Sequence, residues 1–257
     1  MVRISAHFGS TDIPVVVLGG LVPEMLCTTT EARHQGTTDV DIQMNLEVEL
    51  AGEHAFELEQ ALLAAGFSAD PEQMWRWLDH EHGAVDNVEF LCDLDYEPAE
   101  SLVMFSGAKM LGAVNLRGTG YAARDWTIHN LSATIHDRPV AAQVRFAALA
   151  GYLLAKVHAL RNRRFEKDMY DFAYVLIHND VGGPGPAADE VMAKFGDDLP
   201  SLHSMFREVG ASFSSPADAG PTAYARLAVD SEPEEDPARL AADAYAAVTE
   251  FLVRLYP

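Results

Sequence analysis

VVVLGGLVPEMLCTTTEARHQGTTDVDIQMNL, residues 15–46, is the stretch that decides how this chain folds. It opens with an apolar run that suits a buried strand over 13–18, then breaks at Gly19-Gly20. A short helix over about 21–27 follows, and the stretch ends in an alternating strand over 38–46. In that strand Val40, Ile42, Met44 and Leu46 fall on one face; Asp39, Asp41, Gln43 and Asn45 fall on the other. Asp39 and Asp41 therefore project their carboxylates from the same face. Paired hard oxygens suit Mg2+ (or Mn2+), which also binds substrate phosphates. Glycines between a strand and a helix start let backbone N–H groups approach a triphosphate, and Thr37 or Thr38 could add a hydroxyl. Taken singly, an acidic alternation is a solvated strand face and a Gly-Gly pair is a turn. Their order carries the reading: a phosphate cradle and a metal-binding carboxylate pair are what phosphoryl transfer needs.

Outward from this stretch, residues 12–135 alternate short β-rich runs with helical ones. A helix over 53–65 stops at Gly66, a strand covers 88–94, and the glycine-punctuated 112–126 reads as a strand with tight turns. Trp75 and Trp77 alternate on a further strand as packing residues. From about 141 the period becomes helical. Residues 141–160 carry Phe146, Leu149, Leu153, Val157 and Leu160 as a core stripe, and 166–178 repeats the pattern. Residues 178–187 read as a loop, 188–209 as one helix, 211–236 as a long mobile Ser/Pro/acid-rich connection, and 238–256 as a final helix. The expectation is an α+β fold: a mixed-sheet domain over 1–140 and a helical portion over 141–257.

The 257 residues, 49% hydrophobic and 22% charged, suit a globular enzyme. Two cysteines, Cys27 and Cys92, make neither a disulfide framework nor a zinc site. The ten histidines show no metal-ligand spacing. No secretory signal or membrane-length apolar run is present, so a cytoplasmic protein with no membrane partner is expected. The net charge of −21 opposes nucleic-acid binding unless a local basic patch exists.

An apolar strand, Gly-Gly, a short helix, then Asp-hydrophobic-Asp resembles the polymerase-β-like nucleotidyltransferase superfamily. The resemblance implies a third carboxylate on a later strand, which helps bind metal and activates the attacking hydroxyl. Here VEFLCDLD, residues 88–95, supplies Glu89 as first choice and Asp93 as second; four apart, they share a face of a strand.

A second block, KVHALRNRRFEKDMYDFAYVL over 156–176, resembles the helical motif of the AbiEii-type nucleotidyltransferase toxins, which include the MenT group. GGLVPEML and HQGTTDVDIQ resemble their first motif. The resemblance spans roughly residues 15–178. It implies that Lys156 contacts nucleotide phosphates and that Asp168, with Asp171 on the same helical face, completes the active site. Arg33 is the candidate for a basic residue ahead of the threonine. The resemblance also implies an NTP substrate, a tRNA acceptor and a cognate antitoxin. On physical grounds alone, Lys156 in an apolar helix needs a partner, either a triphosphate or a carboxylate. Arg161, Arg163, Arg164 and Lys167 form the candidate anion patch, unless they are a solvated helix end with Asp168 and Asp171 as structural partners. Two other readings stay open: transfer to a small cationic molecule, which suits an acidic cleft, and a non-catalytic NTP-binding or scaffold module of the same fold.

Overall fold

Four consecutive apolar residues, Val15–Leu18, form a short strand that is buried on both faces and lies in the middle of the main sheet. The computed structural model describes residues 1–7, 15–37, 39–44, 53–80, 87–135, 137–163, 165–231 and 233–256. In chain order the elements begin with α1 (Val2–His7), β1 (Val15–Leu18), α2 (Pro23–Leu26), β2 (Asp39–Met44), α3 (Glu53–Ala64), β3 (Phe67–Ala69) and β4 (Arg76–Asp79). Then come β5 (Asn87–Cys92), β6 (Leu102–Met104), β7 (Gly112–Asn115), α4 (Gly120–Arg124), β8 (Trp126–Ile135) and β9 (Arg138–Ala147). Six helices follow: α5 (Leu149–Asn162), α6 (Glu166–His178), α7 (Pro184–Phe195), α8 (Leu199–Gly210), α9 (Ala219–Ser231) and α10 (Pro237–Leu255). The protein is thus mixed α/β. It divides into two units: Met1–Gly20 with Thr37–Ala147, and Leu21–Gly36 with Ala148–Pro257.

The first unit is built on a mixed open sheet in the order β3-β4-β5-β2-β1-β9-β8, with β7 paired to β5 and β6 to β7. β1 and β2 are antiparallel, β2 and β5 parallel, and β4 and β5 antiparallel. The alternation in β2 is obeyed: Val40, Ile42 and Met44 are buried, while Asp39 and Asp41 on the other face stay partly open. Gln43, on the acidic face, is buried as well. α3 ends where Gly66 takes φ +84°, and Glu59 anchors it by accepting the backbone N–H groups of Lys109, Met110 and Leu111 at 2.9, 2.6 and 3.0 Å.

Three expectations change in this unit. Residues 138–147 are a strand, paired residue by residue with β8 from Trp126↔Ala147 to Ile135↔Arg138, and not the start of a helix. Val144 and Phe146 are buried at period two, but the alanines around them fit a helical stripe equally well. The stretch 112–126 holds one short strand and then α4. Gly118, at φ +88°, turns the chain, and Asp93 Oδ2 accepts the N–H groups of Gly118 and Gly120 at 2.8 and 3.1 Å. Trp75 precedes β4, so only Trp77, fully buried, lies on that strand.

In the second unit α6 falls where its period predicts. The expected 188–209 helix is two, α7 and α8, parted near Gly196, and α7 begins earlier, at Pro184, a favoured first helical residue. The expected mobile connection contains α9, which buries Ala223, Tyr224, Ala225 and Ala228. Among the described residues no helix is long and apolar enough to cross a membrane.

Candidate functional site

The carboxylate pair is positioned by register. Leu18, the last residue of β1, faces Asp41 in the antiparallel ladder, so the chain turns at Gly19 directly beside that carboxylate. Gly19 has φ +76°, and a Cβ there would lie 1.9 Å from Asp41 Oδ2. Only glycine fits both the left-handed backbone and this approach. Gly19 and Gly20 are buried in a short 3-10 turn. At the start of β2 the Thr37 hydroxyl accepts the Asp39 N–H at 3.3 Å. Thr38, beside it in the sequence, lies outside the described residues.

The parallel β2–β5 register places Asp39 against Asn87 and Asp41 against Glu89, on one sheet face. Asn87 Nδ2 donates to Asp39 Oδ1 at 2.8 Å. Glu89 Oε1 accepts from Arg76 Nε and Nη2 at 2.8 and 2.5 Å. Asp93 lies beyond the end of β5 and braces the turn before α4, so Glu89 and Asp93 do not share a strand face.

Among the described residues no group of three or more His, Cys, Asp or Glu side chains is placed to hold a metal ion. The face is nonetheless rich in oxygen acceptors. Asp39, Asp41 and Gln43 alternate along it, and the buried Gln43 Oε1 and Asn87 Oδ1 have no hydrogen-bond partner among the described residues. Two carboxylates on one strand face beside a backbone turn offer hard oxygens of the kind that divalent cations take.

The second unit gathers the other predicted residues. Lys156, 7% exposed, donates from Nζ to Asp168 Oδ1 at 2.9 Å and to Asp171 Oδ2 at 2.6 Å. Carboxylates are thus the partner that its burial demands within its own unit. Arg163 Nε and Nη2 donate to the two oxygens of Asp168 at 2.8 and 3.1 Å. His34 Nδ1 accepts the Gly36 N–H at 3.0 Å, which leaves its Nε2 as the donor to Asp171 Oδ1 at 2.8 Å. Two cations and two carboxylates balance in charge here; Lys156, Asp168 and Asp171 are buried, Arg163 reaches in from a half-exposed position, and His34 lies at the edge. Burial, the largest influence on Asp171, would push its carboxyl up, but Lys156 and the His34 bond bring it down to about 2.

The segment Leu21–Gly36 is fastened along α6. Tyr174 Oη donates to Ala32 O at 2.8 Å, Tyr170 Oη accepts the Gln35 N–H at 3.2 Å, and Lys167 Nζ donates to Gly36 O at 2.9 Å. Asp180 accepts the backbone and hydroxyl groups of Thr28 and Thr29 at 2.7–3.0 Å. Burial lowers His178 to about 4, so its neutral ring bridges Thr30 and Tyr224. Arg161 pairs with Glu208 at 3.4 Å, Arg33 is exposed, and Arg164 lies outside the described residues. The expected anion patch is therefore partly committed: Arg161 and Arg163 to carboxylates, Lys167 to a carbonyl.

Sequence reasoning did not single out Arg76, Asn87 or a structural role for His34. The strand register that gives the first two their partners has no signature in a single sequence. Burial raises both Cys27 and Cys92 to about 12, so neither is a ready thiolate nucleophile. Comparison with protein-family models, with curated proteins and with solved structures returns no match to this chain.

Proposed function

We propose that this chain is a divalent-metal-dependent nucleotidyltransferase that moves a nucleoside monophosphate from an NTP to an acceptor hydroxyl. The observation that carries the reading is the close approach of Gly19 to Asp41, beside the registered pairs Asp39/Asn87 and Asp41/Glu89. Asp39 and Asp41 would hold Mg2+ (or Mn2+), which supplies charge neutralisation to the triphosphate oxygens. The Gly19-Gly20 turn seats the phosphates. Glu89 takes the proton of the acceptor hydroxyl, whose oxygen bonds to the α-phosphorus as the bond to pyrophosphate breaks. Lys156, Asp168, Asp171 and His34 act as positioning residues that fix the Leu21–Gly36 segment in its own unit.

By its resemblance to AbiEii-type toxins, the acceptor is tRNA, the protein arrests growth and an antitoxin restrains it. The net charge of −21 and the committed arginines favour a second acceptor class, a small cationic molecule. Labelled NTPs with Mg2+ are offered to total tRNA and, separately, to small-molecule extracts, with Asp39→Asn/Asp41→Asn as control. Label in tRNA, absent in the control, supports the toxin-like reading. Label only in small molecules supports the second. Transfer that survives the double substitution sinks the assignment.

A further inference from the structure

The sheet ends on β8, whose ten residues, Trp126–Ile135, pair with β9 along one edge. Among the described residues no strand pairs with its other edge. The other two edge strands among the described residues, β3 and β6, have three residues each, too short to template a neighbour. β9 joins β1 at one registered pair, Val17↔Phe146, and from there β8 and β9 run on as a two-stranded ribbon. On this ribbon β9 carries Arg138 and Pro139, a charge and a missing donor, both of which hinder strand addition. β8 has no such guard. Its sequence, WTIHNLSATI, holds no Lys, Arg, Asp, Glu or Pro, and seven of its ten residues are exposed, Ile128 at 51%. A two-stranded ribbon buries little on its own, so a third strand would add to its stability.

Charge selects the occupant. Residues 126–147 hold one acid, Asp137, and two arginines, Arg138 and Arg145, so the ribbon is net +1 in a chain of −21. A single net positive charge is too small to steer an acidic partner. Two copies of so acidic a chain repel one another, and their approach costs least where each presents an uncharged strand. We propose that β8 pairs with β8 of a second copy, in an antiparallel ladder that joins two sheets across a two-fold axis. An axis perpendicular to the sheet pairs residues of like parity, so its centre falls at Asn130 or Leu131 and Ile128 meets Ser132 or Thr134 of the second copy. Alternate residues exchange two bonds each, which gives about ten interchain hydrogen bonds, the number that a stable interface carries. This joint stands apart from the nucleotidyltransferase reading.

Sedimentation velocity on the full chain should show a monomer–dimer equilibrium across the micromolar range. Ser132→Lys/Thr134→Lys charges two exposed positions of the ladder and should weaken dimerisation at least about tenfold, because like charges then meet across it. Ala193→Lys/Ser204→Lys makes the same charge change at exposed positions of α7 and α8 and should leave dimerisation within about twofold. Amide exchange of the wild-type chain is the second readout. About half of the amides in 126–135, those not bonded to β9, should slow as concentration rises. A chain that stays monomeric, a dimer that the β8 lysines do not weaken, or amides in 126–135 that exchange alike at every concentration overturns the proposal. Slowing of those amides only on addition of poly-glutamate assigns the edge to an acidic strand, and overturns it as well. Should the β8 variant not fold, exchange in the wild-type chain still decides.

Discussion

At Gly19 a single added carbon would sit 1.9 Å from Asp41 Oδ2, on a backbone already at φ +76°. Gly19→Ala is therefore expected to cost about 1–2 kcal/mol in backbone strain and to displace the carboxylate. Mn2+ titration should show at least about tenfold weaker binding. Unchanged Mn2+ affinity in the variant would mean that the close approach has no part in the site. Lys156 offers a second case. Lys156→Met leaves Asp168 and Asp171 buried without their shared cation, and denaturant unfolding should show a loss of about 3–5 kcal/mol. Arg161→Met, which breaks only an exposed pair with Glu208, should cost about 0–1 kcal/mol. Equal losses would contradict the buried-cluster account. Asp171 adds a pH signature. Its carboxyl is lower in the folded chain, at about 2, than its ordinary 3.8. Its contribution, of order 2 kcal/mol, is complete above pH 4 and fades as pH falls toward 2. Asp171→Asn should flatten that part of the acid-unfolding curve. That Lys156 needed a partner is legible from one cation in an apolar run. That Arg76 takes Glu89 is not, because it depends on which strands become neighbours.

Among the elements, those with strong period and clear ends were readable: β2 by its alternation, α3 by its terminal glycine, α6 by its stripe. The misread elements are those in which small residues blur the period. In β9, Ala141, Ala142 and Ala147 satisfy both a strand and a helix, and only the ladder to β8 decides between them. α9 was hidden by a Ser/Pro/acid-rich surrounding, although its buried face is made of alanines and Tyr224. The contact that seats it is specific. A Cβ on Gly220 would lie 2.4 Å from the ring of Phe213, itself buried. Gly220→Val should then overpack this contact and cost about 1–3 kcal/mol. Amide exchange would show the loss first in residues 219–231. Fast exchange across that stretch in the wild-type chain would instead restore the mobile-connection reading.

Across the whole molecule, the chain does not divide where composition changes. Leu21–Gly36 leaves the sheet unit after Gly20, joins the helical unit, and returns at Thr37. No composition shift marks this, since partners such as His34 and Asp171 lie 137 residues apart. The consequence is that residues 148–257 lack part of their own unit. Taken alone, they leave Asp171 without His34, Tyr174 without the Ala32 carbonyl, and Asp180 without Thr28 and Thr29. Asp171 keeps Lys156 but loses its bond to His34, and Tyr174 loses its carbonyl acceptor. Each such loss at a buried group costs about 1–3 kcal/mol while exposed Asp180 adds little, so this fragment should unfold at clearly lower denaturant than the same residues within the full chain. Adding a peptide of residues 21–36 should restore much of the loss by mass action, because it binds the folded fragment and not the unfolded one. The same peptide carrying His34→Ala should restore less, because it cannot supply the bond to Asp171. A fragment as stable without the peptide as with it would show that the segment is tethered to the helices without supporting them.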